Sequence, residues 1–275
     1  MENQSNMHLG IIAGYGDLPL EVIKEAKKMG YTPFVVALSG MARDNYSELV
    51  DHCLYVNLGE LQKALMFFMQ HGVKELVLVG KVNKKLLIQG GVQLDAQALQ
   101  VISSLSAGND DSMLLGVVNL LEMQGIKVLE STKFLQSLIP NESTLTSMEI
   151  SQSSMNDIEY GMGIAKQMGQ LDIGQTVVVK NQSIMAVEAI EGTDQAICRG
   201  GQLAKEGGVV VKASKPSQDL RFDVPTIGLD TLKSCVEANI SVLAFEASAT
   251  IVLDQQEMVQ MAEQKNIHLI AVKAK

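Results

Sequence analysis

A chain of 275 residues with a formal net charge of -9, 47% hydrophobic and 19% charged, has ample material for two domains of about 100–200 residues each. Its acidity argues against nucleic acid as a partner, because a phosphate backbone is bound mainly by basic surfaces, and against plain electrostatic adhesion to anionic lipid. No apolar run approaches the ~20 residues of a membrane span. Met1 to Asn6 lacks the regions of a signal peptide, and Cys53, Cys198 and Cys235 stand far apart outside any CxxC pattern, as suits buried thiols in a reducing cytoplasm.

The first half alternates strands and helices. His8 to Ala13 predicts a short apolar strand, followed by the turn Gly14-Tyr15-Gly16-Asp17-Leu18-Pro19. Pro19 to Met29 predicts a helix with Val22, Ile23, Ala26 and Met29 on one face, Pro19 in its first turn and Asp17 as its cap. Phe34 to Leu38 is the next strand, Leu61 to Gln70 a helix, Glu75 to Val79 a strand, Leu114 to Met123 a helix and Ile126 to Leu129 a strand. Strands separated by helices predict a Rossmann-like parallel sheet over residues 1–132. A nicotinamide cofactor is disfavoured, because Pro19 stands where G-x-G-x-x-G needs its third glycine and Ala37-Leu38-Ser39 offers no acid for a ribose hydroxyl. The turn can still hold a phosphate on its amides. Lys81, in the basic run Gly80-Lys81-Val82-Asn83-Lys84-Lys85 after Val79, is expected to face the same crevice as Gly16. Gly108-Asn109-Asp110-Asp111-Ser112 reads as the capped start of a helix, with a metal role as the lesser alternative.

Serine, threonine and asparagine crowd residues 133–156 around Pro140 and predict a linker. Residues 157–275 then predict an α/β domain with a mixed sheet. A helix spans Ile158 to Met168, and Thr176 to Val179 pairs with Ile184 to Ala189 in a hairpin around Lys180-Asn181-Gln182-Ser183. Thr193 to Lys205 is a helix capped by Thr193, with Gly200-Gly201 weakening its middle. Strands follow at Val209 to Val211, Ser241 to Phe245, Ile251 to Leu253 and His268 to Val272, with helices at Leu229 to Ala238 and Gln255 to Lys265. A ligand cleft between the two domains completes the expected architecture.

The densest charge follows the strand Val209 to Val211. From Lys212 to Gly228, Lys212, Lys215, Arg221, Asp219 and Asp223 leave the strand end, held between Pro216 and Pro225. Phosphate chemistry needs this mixture, with cations to hold the anion and a carboxylate to place a metal or activate water. Glu188, Glu191 and Asp194 mark another strand end and helix start; capping accounts for Thr193 and Asp194 but not for Glu188. His8, His52, His71 and His268 lack ligand spacing, which argues against a histidine metal site. Fifteen methionines beside no tryptophan suit core filling, and pliable walls for acyl chains.

Four segments carry a family resemblance: Gly10 to Pro19, Leu171-Asp172-Ile173-Gly174-Gln175, Ala186 to Asp194, and Lys212 to Gly228. Together they resemble the UDP-2,3-diacylglucosamine pyrophosphatases of the LpxI type, of lipid A biosynthesis in Gram-negative bacteria, over nearly the whole chain. The resemblance implies a two-domain enzyme that needs a divalent cation such as Mg2+. It would hydrolyse the pyrophosphate of UDP-2,3-diacylglucosamine to UMP and 2,3-diacylglucosamine 1-phosphate, with the ligand between the domains. It also implies a homodimer. Carried over, Asp223 is the catalytic aspartate, Gly16 lies in the loop near the ligand, and Thr193 lies close to the head group. Tyr15 and Lys81 depart from the common pattern, where glycine and asparagine are also found.

The expected chemistry assigns Asp223, Glu188 and Asp194 to the metal, and Lys212 to the charge developing on phosphate oxygens. Lys215 and Arg221 assist, and Gly16, Lys81, Gln175, Thr193 and Lys215 bind substrate. An acylated substrate implies a cytoplasmic protein in transient contact with the inner membrane surface. The rival reading is a non-catalytic module that binds a sugar nucleotide or lipid; metal dependence of turnover separates the two.

Overall fold

The computed structural model describes residues 7–42, 45–82, 93–103, 110–216 and 218–274. The chain divides into two compact units. The first runs to Leu135 and also takes Leu220–Phe222, and the second comprises Gln136–Asp219 and Asp223 onward.

In the first unit, β1 (Met7–Ala13), β2 (Tyr31–Leu38), β3 (His52–Val56), β4 (Glu75–Val79) and β5 (Lys127–Val128) form one sheet in the order β3-β2-β1-β4-β5. Every pairing is parallel, and Ile11 of β1 sits between Val35 and Val77. Such strands are covered on both faces, so β1, β2 and β4 read as nearly continuous apolar runs. Edge strand β3 carries a comparable run, Cys53 to Val56, and was not among the expected strands. Helices α1 (Leu18–Lys28), α2 (Leu61–Gln70), α3 (Ala96–Ser103) and α4 (Asp110–Met123) accompany the sheet. Pro19 stands in the first turn of α1 as expected, but the Asp17 carboxylate makes no cap bond; its carbonyl accepts the Leu20 and Glu21 amides. Three of the four histidines converge, His8, His52 and His71 each packing a ring on Phe34. Phe222 lies against this unit's core, and Arg221 pairs with Glu122 at 3.4 Å.

The second unit is built on a six-stranded sheet in the order β6-β13-β11-β9-β7-β8. Its strands are β6 (Ser143–Thr144), β7 (Thr176–Lys180), β8 (Ser183–Val187), β9 (Gly208–Lys212), β11 (Ile240–Glu246) and β13 (His268–Val272). Strands β9, β11 and β13 are mutually parallel, whereas β7 runs antiparallel to both β8 and β9, so the sheet is mixed. A separate parallel pair joins β10 (Thr226–Ile227) to β12 (Ile251–Val252). Helices α5 (Gln152–Gln170), α6 (Thr193–Ala204), α7 (Leu229–Glu237) and α8 (Gln255–Gln264) complete the unit.

The stretch 133–156 carries the end of a 3-10 turn with buried Phe134, edge strand β6 on β13, and the cap of α5, where Ser151 Oγ accepts the Ser154 amide. The hairpin turns on Asn181-Gln182, whose φ angles of 52° and 54° suit a two-residue loop, and both turn amides donate to the buried Asp157 carboxylate of α5. Gly200 and Gly201 serve close packing. A Cβ on Gly200 would stand 2.5 Å from Val178, and one on Gly201 would overlap the Ala238 carbonyl. The helix interior thus gives up propensity to let α6 settle on β7 and against the end of α7.

Candidate functional site

Strands β9, β11 and β13 end at the same edge where β7 begins and β8 ends, so one edge of the second sheet collects the polar residues. Thr176 is paired with Lys212 across β7 and β9. On its other side the β7–β8 ladder continues past Val177–Val187, with the Glu188 amide donating to the Thr176 carbonyl at 2.8 Å. Glu188, Thr176 and Lys212 therefore form a row on one face, because directly paired residues point the same way. The first turn of α6 lies over this row.

Lys212 is 6% exposed. Its Nζ donates to the Thr226 carbonyl at 3.0 Å and approaches Thr193 Oγ1 at 3.5 Å. Thr193 in turn donates its hydroxyl to Glu188 Oε1 at 2.9 Å. This corrects the expected capping role: Gly192, with φ +87°, is the N-cap of α6, and Thr193 is its first helical residue. Glu188 Oε2 and Thr176 Oγ1 are buried with no hydrogen-bond partner. A buried acceptor left open in this way is costly unless something else occupies it.

Asp223 follows Leu220–Phe222 and is half-buried; its amide donates to the Asp219 carbonyl at 2.9 Å. The chain beyond it is tied down, with the Pro225 carbonyl accepting the Ile251 amide at 2.8 Å. On the sheet's other face, the Gln175 carbonyl accepts the Ala213 amide, and Gln175 Oε1 is a further buried atom without a partner. Lys215 is held by Asp172 at 2.6 Å. Asp194 is exposed and lies near Cys235, whose thiol burial pushes up, with the Asp194 charge adding to the shift.

In the first unit, Gly16 turns the chain with φ +107°. Tyr15 and Lys81 exchange backbone hydrogen bonds, each 2.8 Å, so the loops after β1 and β4 are joined where the strand order reverses. Gly14 and Gly80 make that junction fit: a Cβ on Gly14 would fall 2.6 Å from the Lys81 carbonyl oxygen, and one on Gly80 2.8 Å from Gly14. Asn83, Lys84, Lys85, Gly108, Asn109 and Ser217 lie outside the described residues.

The structure thus brings Lys212, Thr193 and Glu188 together. Among the described residues no three His, Cys, Asp or Glu side chains gather in a group that could hold a metal ion, so Asp223, Glu188 and Asp194 do not form one. A sequence reading also misses a cluster on the α5 face. Lys166 pairs with Glu246 at 2.7 Å, and both hold Ser214. Glu246 ends an apolar strand just as Lys212 does, and that placement was the available signal.

Family models match in tandem: the LpxI N-terminal domain over residues 8–138 and the LpxI C-terminal domain over residues 141–270. The chain belongs to the LpxI family. The LpxI domain division agrees with the two units, the models meeting between residues 138 and 141 and the units between Leu135 and Gln136. A curated relative is the UDP-2,3-diacylglucosamine pyrophosphatase LpxI of Caulobacter vibrioides, 28% identical over 96% of this chain and 97% of its own length. Likeness to solved structures is slight. A GalE-like L-threonine dehydrogenase from Cupriavidus necator gives a TM-score of 0.28 at 15% identity, over 43% of this LpxI chain and 34% of its own. A biotin carboxylase from Campylobacter jejuni gives 0.28 at 11% identity, over 71% and 42%. This LpxI chain spans under half the length of either, and scores of this size carry no argument.

Proposed function

We propose that this LpxI-family protein hydrolyses the pyrophosphate bond of UDP-2,3-diacylglucosamine, yielding UMP and 2,3-diacylglucosamine 1-phosphate in lipid A biosynthesis. The observation that carries the reading is the buried Lys212 at the carboxyl end of β9, in a row with Thr176 and Glu188 under the first turn of α6. A buried ammonium beside a helix N-terminus favours a phosphate oxygen.

Hydrolysis adds a water hydroxyl to one phosphorus and leaves the electron pair of the broken P–O bond on the other phosphate. Lys212 takes that growing charge by turning its ammonium from the Thr226 carbonyl to a phosphate oxygen. Thr193, oriented by Glu188, donates or accepts at the head group. Lys215 exchanges Asp172 for a phosphate, and Gln175 Oε1 accepts from a substrate hydroxyl or amide. Gly16 and Lys81 enter the proposal as substrate contacts contributed by the first unit.

The residues fit a magnesium ion held in part by substrate, not an all-protein cage. Mg2+ is usually bound by one or two carboxylates with water and phosphate oxygens. Asp223, and Glu188 through its open Oε2, are the donors that suit it; the exposed Asp194, beside Cys235, suits it less. Such an ion supplies charge neutralisation on the pyrophosphate and acidifies bound water. Transient contact with the cytoplasmic membrane surface and a homodimeric state belong to the proposal. Among the described residues no helix is long and apolar enough to cross a membrane.

The test is incubation of the purified protein with UDP-2,3-diacylglucosamine and magnesium, with both products weighed. Release of UMP that stops on chelation supports the reading. Intact substrate bound by the protein would replace it with a binding module.

A further inference from the structure

The Lys166–Glu246–Ser214 cluster takes no part in the chemistry proposed above, yet its three members are closely bonded to one another. Glu246 closes β11. Its Oε2 accepts the Ser214 amide at 2.7 Å, the Ser214 hydroxyl at 2.7 Å and the Lys166 ammonium at 2.7 Å. Lys166 reaches across from α5 and donates also to the Ser214 carbonyl at 3.1 Å and hydroxyl oxygen at 3.0 Å. The amide, carbonyl and hydroxyl of Ser214 are all engaged. The two charged side chains are 24% and 12% exposed, sheltered enough for these charge-assisted bonds to outweigh an ordinary surface pair.

Ser214 stands two residues beyond Lys212, at the head of the excursion that carries Lys215 and ends at Asp223. Of the described residues in that excursion, Lys215 is bonded to Gln218 through its amide and to Asp172 through its ammonium. We infer that Glu246, acting with Lys166, is a positioning residue for the proposed hydrolysis: it sets where the chain leaves β9 and hence where Lys215 stands. Neither Glu246 nor Lys166 is among the proposed substrate contacts. The β-ladder does not need the cluster, since Lys212 and Phe245 pair β9 with β11 up to the same edge. Loss of the cluster therefore loosens the excursion without unpairing the sheet.

The inference rests on the hydrolytic reading for its activity readout, so the experiment carries a second readout that does not. Glu246→Gln, Lys166→Met, the double variant and Lys166→Arg are compared for UMP release and for hydrogen exchange along the chain. Misplacing a reacting group by about 1 Å costs up to about 100-fold. Each of the first two variants is accordingly expected to lose about 10- to 100-fold in kcat, with KM within about threefold. The double variant should lose no more than the worse single one, and Lys166→Arg should restore most of the rate. Exchange should quicken at residues 213–215 and 218 while the amides of β7 and β11 keep their protection. Unchanged kcat and exchange in Glu246→Gln would overturn the inference, as would exchange quickened throughout the second unit, which marks a merely structural pair. If the wild-type protein releases no UMP, the hydrolytic reading falls by itself, and the exchange comparison still decides whether the pair holds the excursion.

Discussion

Lys212→Met is the sharpest perturbation of the proposed chemistry. Methionine keeps most of the apolar stem, so packing around a residue only 6% exposed changes little. What disappears is the donor that now spans 3.0 Å to the Thr226 carbonyl. A lost bond to that carbonyl costs about 1–3 kcal/mol, partly offset because a buried charge is removed with it. The catalytic loss is larger: one preorganised donor at a developing oxyanion is worth about 2–4 kcal/mol, or about 30- to 1,000-fold in rate. The assay is kcat and KM for UMP release, beside thermal unfolding of the same preparations. If Lys212 faces the transition state, kcat falls by that factor while the melting temperature drops by only a few degrees. A rate loss under threefold in well-folded protein would refute the reasoning and leave Lys212 a structural lysine.

Asp223→Asn should abolish turnover while leaving the unfolding curve and substrate affinity close to wild type; retained activity removes Asp223 from the site. Gly201→Ala should destabilise by about 1–3 kcal/mol, because its Cβ would overlap the Ala238 carbonyl. Gly163→Ala, in α5 with nothing within 4 Å of the added carbon, should instead stabilise by up to about 1 kcal/mol; chemical denaturation showing shifts of the same sign would contradict the packing account. The Cys235 thiol, raised from 9.0 chiefly by burial, holds its proton more tightly folded than unfolded. Its contribution to stability is therefore complete below about pH 9 and declines as pH rises beyond that. Alkylation at pH 8 should reach Cys235 only after unfolding, and stoichiometric labelling of the native protein would count against its burial.

The valine-rich strands β7 and β9 were legible because a buried strand reads as an apolar run, and Lys212 was legible because it closes one. Glu246 was equally well placed, yet Lys166 is 80 positions away on an amphipathic helix, where a lysine ordinarily faces water. No periodicity reports such a partnership. Thr193 misled for a local reason: Gly192 before it can take the left-handed angle, so the cap moved back one residue and the threonine hydroxyl turned to Glu188. Strands β6 and β10 have two residues each and lack the apolar run that marks the equally short β5 and β12. His8, His52 and His71 looked scattered in sequence because they come from two strands and a helix end, and meet at Phe34 on a third strand.

The junction of Gly14 and Gly80 has a practical corollary. Two backbones touch there so closely that neither residue can carry a side chain, while the neighbours Tyr15 and Lys81 both point a side chain into solvent from a doubly hydrogen-bonded pair. Shape and chemistry are thereby separated onto different residues. Substitution at residues 15 and 81 would change the groups displayed there, as on an interchangeable tool head, while the mount beneath keeps its alignment.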